Sequence, residues 1–413
     1  MQSTRINTMT DTRTKDSGKN IVVFSDGTGQ EGGEGNNTNV YKLFNMIEGR
    51  TNEQITFYDG GIGTGFRKVS AMSGVGITAN ILECYQFISD HYQWGDRIFL
   101  FGFSRGAATV RSLAGFISRF GILPHSRPDL ATKAWKIYKM SDEGVREKNA
   151  EEFLKRNATT WCNINFLGVW DTVKALGLPN KTLDAVWNKV LPHSFHDLKL
   201  SKCVQHAYHA LSIDEDREAF QPTPWQTEEN DKSLLGKVYV DPRDGDASEQ
   251  VDKNREQTVK QVWFCGVHTD VGGGYKESGL SDIPLAWMID RAMDEKLLEH
   301  PLKLYPYNSV TLEQNIEGLI HSERDTWLKK HILFPEGKRS WDSKKGGKPW
   351  IHASVLERNR GKNNTEGVPY KPWILEEFKE GEYEIEPWDN QMTLYSIPVE
   401  HGYRKDSNPD GDG

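Results

Sequence analysis

The sequence predicts a doubly wound, mostly parallel α/β sheet with helices on both faces. Short apolar runs alternate with helical segments three times within roughly a hundred residues. The runs are rich in Val, Ile and Phe, as strands buried on both faces are. Glycine-rich turns also stand at several junctions between the runs and the helices. This alternation is typical of a parallel sheet built from βαβ units.

The first strand is expected at residues 21–24, where every residue is apolar, and it ends in a turn-rich stretch at 25–29. A helix follows, with Thr38 or Asn39 as its N-cap. Its apolar residues recur at the i, i+3, i+4, i+7 spacing of one helix face: Val40, Leu43, Phe44 and Ile47. The first βα unit is therefore placed at the amino end of the fold.

Two further units follow. A strand at 55–58 leads into a glycine loop at 60–65, and the next helix carries an apolar stripe. That stripe consists of Ile77, Ile81, Tyr85 and Ile88. A third strand, at 97–103, stops at Ser104, and a helix runs from about 105 to 120 with Gly121 in position to end it.

The rest of the chain supplies more strands at wider spacing. We expect strands at 163–169 and 261–267, a further one at 207–213, and a late helix that Ser281 begins. Residues 1–18 are expected to be a disordered tail, and one domain with helical cap insertions is expected from 19 to 360. The predicted insertions and extension are at 122–160, 179–205, 221–258 and, at the carboxyl end, 361–413.

Composition excludes several classes of function. The net charge of −8 argues against a nucleic-acid-binding surface, which needs clustered Lys and Arg. No run approaches the roughly 18 apolar residues of a membrane span, and the first residues lack the apolar core of a signal peptide. The cysteines have no C-x-x-C spacing, which indicates reduced thiols and no zinc site. We therefore expect a cofactor-free and metal-free protein made in the cytoplasm. Export by a route that reads no signal peptide stays open.

A candidate nucleophile lies between the third strand and its helix. Gly102-Phe103-Ser104-Arg105-Gly106 satisfies G-x-S-x-G, and the strand-turn-helix context is the one in which this motif places a serine nucleophile. The glycines let strand and helix approach, while the turn lifts the hydroxyl out of the sheet. The alternative interpretation is an ordinary serine that caps the helix.

A serine nucleophile needs a base and a group that orients the base. In the α/β-hydrolase arrangement these follow in the order Ser, Asp or Glu, His, each just past a strand. Asp171 follows the strand at 163–169, and His268 follows the strand at 261–267. Asp214, after the strand at 207–213, is the alternative acid.

The oxyanion formed during acyl transfer needs backbone N–H donors. The helix that starts after Ser104 offers the amide of Arg105. The turn after the first strand offers the amide of Gly27 or Thr28, where glycine lets the chain come close. The alternative for this turn is that Asp26 bonds its own backbone.

Together, these motifs resemble the uncharacterised α/β-hydrolase domain family that includes the type VI secretion phospholipase effectors of the first class. The resemblance covers roughly residues 20–360. It implies an esterase or phospholipase A activity, with a triad at Ser104, Asp171 and His268, acting on an ester or lipid substrate. It also implies a secretion or immunity partner protein if the chain is an effector. The matching segments are 24–28, 37–40, 58–65, 102–107, 168–173, 268–275 and 351–358.

Two other function classes stay open on the sequence. One is a metal-dependent phosphoester hydrolase with hard oxygen and nitrogen ligands, although no H-x-H or H-E-x-x-H group accompanies them. Its candidate ligands would be Asp26, Asp59, His268 and Asp270. The other is a catalytically inactive relative that keeps the fold as a binding protein.

Overall fold

The computed structural model describes residues 18–27, 36–47, 49, 51–61, 75–173, 200–226, 257–298, 300–304, 312–326, 335–361 and 369–388. The strands in these residues are β1 (Asn20–Ser25), β2 (Gln54–Asp59), β3 (Arg97–Phe103), β4 (Ile164–Trp170), β5 (Val204–Ser212), β6 (Thr258–Phe264), β7 (Trp350–His352) and β8 (Glu384–Glu386). They form one sheet in the order β2-β1-β3-β4-β5-β6-β7-β8, and every neighbouring pair is parallel. The predicted fold class is confirmed.

The helices connect these strands and cover the sheet. They are α1 (Asn39–Met46), α2 (Val75–His91), α3 (Arg105–Phe120), α4 (Pro128–Tyr138), α5 (Glu143–Arg156), α6 (His268–Gly272), α7 (Asp282–Met293), α8 (Ser343–Gly346), α9 (Ala353–Arg360) and α10 (Trp373–Glu377). Thr38 is the N-cap of α1, and its side chain accepts a hydrogen bond from the Tyr41 amide. Among the helices of the described segments, none combines the length and the hydropathy that a membrane span requires.

Both faces of the sheet are buried, because alternate residues of the central strands pack into two different cores. Ile21 and Val23 of β1 lie in the cluster that includes residues of α2, α3 and α4. Val22 and Phe24 lie in the cluster that includes residues of α1 and α7. This explains why the strand at 21–24 has no polar residue: neither face reaches water.

The first three strands create the crevice in which the candidate site lies. From β1 the chain passes through α1 to β2 on one side, whereas β3 lies on the other side of β1. Ser25 is paired with Gly102 in the register, so Asp26 and Ser104 follow at the same edge of the sheet. Ligands of open α/β sheets bind at such a reversal of strand order, outside the carboxyl ends of the strands.

The segment predicted as an insertion at 122–160 contains α4 and α5. Both pack on the second half of α3, where the ring of Phe116 lies 5.4 Å from that of Trp135 and the ring of Phe120 lies 5.7 Å from that of Phe153. These contacts are at the end of α3 remote from Ser104. Most of the insertions predicted at 179–205 and 221–258 lies outside the described residues, as do residues 1–17.

The carboxyl-terminal part of the chain extends the sheet. The two short strands β7 and β8 add to β6, and a third apolar cluster joins β6 and β7 to α9 and α10. The sheet therefore continues past residue 360, where the sequence pattern placed the end of the domain. Strand β8 has glutamates at both ends and a half-exposed Ile385, so it carries no apolar signal that could have predicted it.

Candidate active site

Ser104 occupies a sharp turn between β3 and α3. Its backbone has φ 57° and ψ −118°, and its side chain makes no capping hydrogen bond to the helix. A Cβ at Gly102 would lie 2.6 Å from the Gly106 carbonyl oxygen, and one at Gly106 would lie 2.6 Å from the Asp26 carbonyl oxygen. Both glycines are therefore required by the close approach of strand and helix, and the alternative of an ordinary capping serine does not describe this turn.

Two residues of the site have strained backbone conformations. Among the described residues, Ser104 and Asp171 are the non-glycine residues with positive φ, at 57° and 37°. Such conformations cost of order 1–3 kcal/mol each and persist where the surrounding structure imposes them, most often at functional sites. A backbone hydrogen bond links the two positions, because the Ser104 amide donates to the carbonyl of Trp170, the residue directly before Asp171.

We expect Gly106→Ala to lower the free energy of unfolding by about 1–3 kcal/mol, because overpacking a closed contact has a cost of this order. Its methyl group would overlap the carbonyl oxygen of Ser25, which belongs to rigid backbone. Equilibrium unfolding in urea measures the change. Gly144→Ala in α5 is the matched control: its methyl would meet only Asp142 Oδ1 at 3.5 Å. An alanine at 106 that is as harmless as one at 144 would contradict the close approach.

The structure joins Ser104, His268 and Asp171 in one chain of hydrogen bonds. Ser104 Oγ lies 2.8 Å from His268 Nε2, and His268 Nδ1 lies 2.6 Å from Asp171 Oδ2. All three are buried, with exposed fractions of 7%, 4% and 0%. With the Nδ1–H directed at the carboxylate, the lone pair of Nε2 faces the serine hydroxyl and can accept its proton. This is the arrangement of nucleophile, base and orienting acid.

Each of these side chains is presented by the end of a strand. Asp171 follows β4 directly, and its amide donates to the Ala210 carbonyl of β5 at 2.8 Å. His268 is the first residue of α6, four residues beyond the last residue of β6. The ring of Phe103, at the end of β3, lies 4.6 Å from the imidazole, and the ring of Phe220 lies 5.1 Å from it. The imidazole is thus fixed between two aromatic rings.

The alternative acid, Asp214, is placed elsewhere in the hydrogen-bond network. Its Oδ2 accepts from the Gly266 amide at 2.6 Å, and both its carboxylate oxygens accept from the Tyr370 hydroxyl. Burial raises the pKa of this carboxyl, and hydrogen bonds offset only part of that effect. Asp214 therefore supports the turn before His268, whereas Asp171 contacts the imidazole.

Asp171 has a partner that the sequence patterns do not indicate. Arg339 donates from one guanidinium nitrogen to Asp171 Oδ1 at 2.6 Å and from the other to Oδ2 at 2.8 Å. Burial alone would raise the pKa of Asp171, but the charge and hydrogen bonds of Arg339, together with His268, hold it below the ordinary value. The Ser212 amide adds a further hydrogen bond to Oδ1 at 3.1 Å.

A second histidine supports the turn at Asp171. The next amide, that of Thr172, donates to His209 Nε2 at 3.1 Å. Burial, followed by the charge of Arg111, lowers the pKa of His209 to about 3, so its ring is neutral and can accept. The other nitrogen of the ring faces Gln261 Oε1 at 3.3 Å. This network fixes the backbone conformation from which Asp171 projects.

The three predicted oxyanion donors have different surroundings. The amide of Arg105 is the first of α3 and has no carbonyl partner within the helix. The Gly27 amide donates to Asp26 Oδ1 at 2.6 Å, which is the self-bonded turn weighed for this position. Thr28 lies outside the described residues. Of the three, the Arg105 amide is thus the one that the described geometry leaves for an oxyanion.

The residues considered as metal ligands have other partners. Asp26 accepts from the Thr38 and Tyr58 hydroxyls, at 2.5 Å and 2.7 Å, and its burial raises its pKa to about 6. Asp270 lies 2.6 Å from His321 Nδ1, and both ring nitrogens of His268 are engaged as described above. Within the described residues no group of three or more His, Cys, Asp or Glu side chains could hold a metal ion.

A further carboxylate holds the loop that precedes α6. Glu215 Oε2 accepts from the His268 amide at 3.2 Å, and the two oxygens of this carboxylate each accept from a different nitrogen of Arg217, at 2.7 Å. The same guanidinium carbon lies 3.5 Å from the centre of the Phe220 ring. The ion pair therefore supports His268 in two ways. Glu215 accepts from the His268 amide, and Arg217 packs on the Phe220 ring that contacts the imidazole.

Comparison with known proteins identifies a family that this chain matches. Residues 19–291 match the family described as "T6SS, Phospholipase effector Tle1-like, catalytic domain". An uncharacterized protein of Saccharomyces cerevisiae is 34% identical over 188 residues, which cover 39% of this chain and 28% of that protein. The chain thus aligns with less than a third of the yeast protein's length.

Similar solved structures include an uncharacterized protein from Pseudomonas aeruginosa, 18% identical with a TM-score of 0.39, over 70% of this chain and 47% of that one. A Tle1 effector bound to the VgrG spike is 15% identical with a TM-score of 0.30, over 63% and 52%. A metagenomic carboxyl esterase is 13% identical with a TM-score of 0.26, over 65% and 70%. The family match spans well over half of the chain, so this protein belongs to the Tle1-like phospholipase effector catalytic domain family.

Proposed function

We propose that this chain is a serine hydrolase that cleaves carboxylic esters, acyl esters of phospholipids among them, through an acyl-serine intermediate. The observation that carries the proposal is the chain of hydrogen bonds from Ser104 through His268 to Asp171 at the carboxyl edge of the sheet. Membership of a phospholipase family supports the lipid ester as the substrate class.

In this mechanism Ser104 Oγ attacks the ester carbonyl while His268 Nε2 accepts the hydroxyl proton. The negative charge that develops on the carbonyl oxygen is stabilised by the Arg105 amide at the positive end of α3. Collapse of the tetrahedral intermediate releases the alcohol, which takes its proton from His268. Water then attacks the acyl-serine while His268 accepts its proton, and His268 returns that proton to Ser104 Oγ as the carboxylic acid leaves. Asp171 orients the imidazole and stabilises its charged form.

Product analysis with defined phospholipids tests this proposal. We expect the purified protein to release fatty acid and lysophospholipid, and to hydrolyse p-nitrophenyl esters, with rates that EDTA does not change. Release of the phosphate-bearing head group, with loss of activity on chelation, would instead favour a metal-dependent phosphoester hydrolase. Absence of turnover on every ester in the series would favour the inactive binding protein.

Two predictions about the cellular setting stay predictions. Synthesis in the cytoplasm, with export left open, rests on the sequence alone. A secretion or immunity partner protein rests on the description of the family as secretion effectors. The reaction proposed above requires neither.

A further inference from the structure

The contact between Arg339 and Asp171 is the best-defined ion pair of the site. Both side chains are completely buried, and two nitrogens of the guanidinium each face a different carboxylate oxygen. Such a forked pair is stronger and more directional than a single hydrogen bond. It leaves Asp171 little freedom to rotate away from His268.

The same guanidinium also ties together the loops around Asp171. Its nitrogens donate to the Ser212 carbonyl at 2.8 Å and to the Phe220 carbonyl at 2.7 Å. Ser212 ends β5, beside Asp171, and Phe220 carries the ring that packs against His268. Arg339 therefore contacts the Asp171 carboxylate directly. It also donates to the backbone carbonyl of Phe220, whose ring is one of the two that pack on the imidazole.

Residues 335–337, just before Arg339, are held by two backbone hydrogen bonds to residues 216 and 218. The Glu218 amide donates to the Pro335 carbonyl at 2.8 Å, and the Gly337 amide donates to the Asp216 carbonyl at 2.8 Å. A Cβ at Gly337 would lie 2.5 Å from Glu218 Cα, so glycine lets the two backbones touch. The family match ends at residue 291, well before this segment.

We infer that Arg339 is a positioning residue of the proposed hydrolase, which keeps the Asp171 carboxylate charged and aligned with His268. This inference rests on the proposed function. It also assigns part of the active site to a segment outside the residues that match the family.

The charges around Asp171 predict the direction in which the pH dependence changes when Arg339 is replaced. Arg339 and His268 contact the carboxylate, His209 accepts from the next amide along the chain, and the acid Glu215 interacts electrostatically with both Arg339 and His268. Burial raises the pKa of Asp171, and the charge of Arg339 makes the largest contribution that lowers it. Without the arginine charge the pKa rises. Asp171 then takes up a proton as the pH falls, and the activity that needs the carboxylate is lost at a higher pH than in the wild type.

The experiment compares Arg339→Gln, which keeps a hydrogen-bond donor without charge, with Arg339→Lys, which keeps the charge without the fork. The readout is the rate at which a fluorophosphonate probe labels Ser104 across the acid pH range. We expect the glutamine variant to label about 10- to 100-fold more slowly near neutral pH. Its acid limb should move up by at least about one pH unit, since an arginine beside an aspartate lowers the carboxyl pKa by about 1–3. The lysine variant should be slower, with its acid limb close to that of the wild type.

Arg358→Gln is the matched control, because Arg358 is also buried in the carboxyl-terminal part but donates to the Ile316 and Gly318 carbonyls. It is expected to lose stability with no change in the pH dependence of labelling. Asp171→Asn supplies a second test, since in that background the change from Arg339 to Gln should have little further effect on the rate.

The outcomes separate this inference from the proposed function. If the glutamine variant labels at the wild-type rate with the wild-type pH dependence, Arg339 is not a positioning residue although Ser104 is a live nucleophile. If the glutamine variant does not fold, the lysine variant decides: a wild-type rate at every pH would overturn the inference. Absence of labelling in the wild type would count against the proposed function itself.

Discussion

Ser104→Ala is expected to reduce ester turnover by about 10⁴-fold or more, because removal of a serine nucleophile leaves only binding and oxyanion stabilisation. The fold should survive, since the Ser104 side chain makes no cap and, within the described segments, its hydrogen-bond partner is His268. The measurement is kcat/KM on a soluble ester and on a phospholipid, together with an unfolding curve.

Ser112→Ala is the matched control. Ser112 lies on the same helix α3, two turns further along, and its buried hydroxyl has no hydrogen-bond partner among the residues that the structure describes. We expect its loss to leave turnover near the wild-type value. Turnover that survives in Ser104→Ala, or falls equally in both variants, would contradict the role given to Ser104.

Asp171→Asn is the second substitution with a large expected effect. An amide at this place favours the wrong tautomer of the imidazole, and the corresponding change in a serine protease lowers kcat by about 10⁴-fold. It also leaves Arg339 buried without a charged partner, which typically lowers the free energy of unfolding by about 3–5 kcal/mol. Turnover should therefore be normalised to the folded fraction obtained from denaturant unfolding.

Asp214→Asn decides between the two acids that the sequence left open. Because Asp214 bonds Gly266 and Tyr370, its loss should weaken the turn before His268 and change kcat much less than the loss of Asp171. The comparison uses kcat at saturating substrate for both variants. A larger loss in Asp214→Asn than in Asp171→Asn would reverse the assignment of the acid.

Most strands of the sheet are predictable from the sequence, because burial on both faces requires consecutive apolar residues within the strand itself. Strands buried on both faces must be largely apolar, so β1, β3 and β4 are recognisable in the sequence as apolar runs. The strand at 207–213 is a weaker signal, because it contains His209 and Ser212, and it is observed as β5, Val204–Ser212. Strands β7 and β8 have three residues each, too few for a period of two to be recognised.

The candidate triad was predictable because parallel strands bring their carboxyl ends to one edge. Ser104, Asp171 and His268 each follow an apolar run, and the sheet gathers them although His268 and Ser104 are 164 residues apart. Their positions needed only the strand ends. Their roles stay predictions until the substitutions above are measured.

Arg339 could not be predicted in this way. It does not follow a strand, and Lys338-Arg339-Ser340-Trp341 contains no motif or period. It reaches Asp171 across 168 residues of sequence, through a segment held by backbone contacts. The turn at Gly27 was equally open, because an aspartate at 26 can either leave the next amide free or bond it, and the choice depends on the buried hydroxyls of Thr38 and Tyr58.

The most direct test of the central claim is to identify the residue that a fluorophosphonate probe modifies. The wild-type protein is treated with the probe, digested, and analysed by peptide mass spectrometry. The account predicts one adduct, on Ser104, whose formation requires an intact His268. An unmodified protein, or an adduct on another serine with Ser104 free, would contradict it.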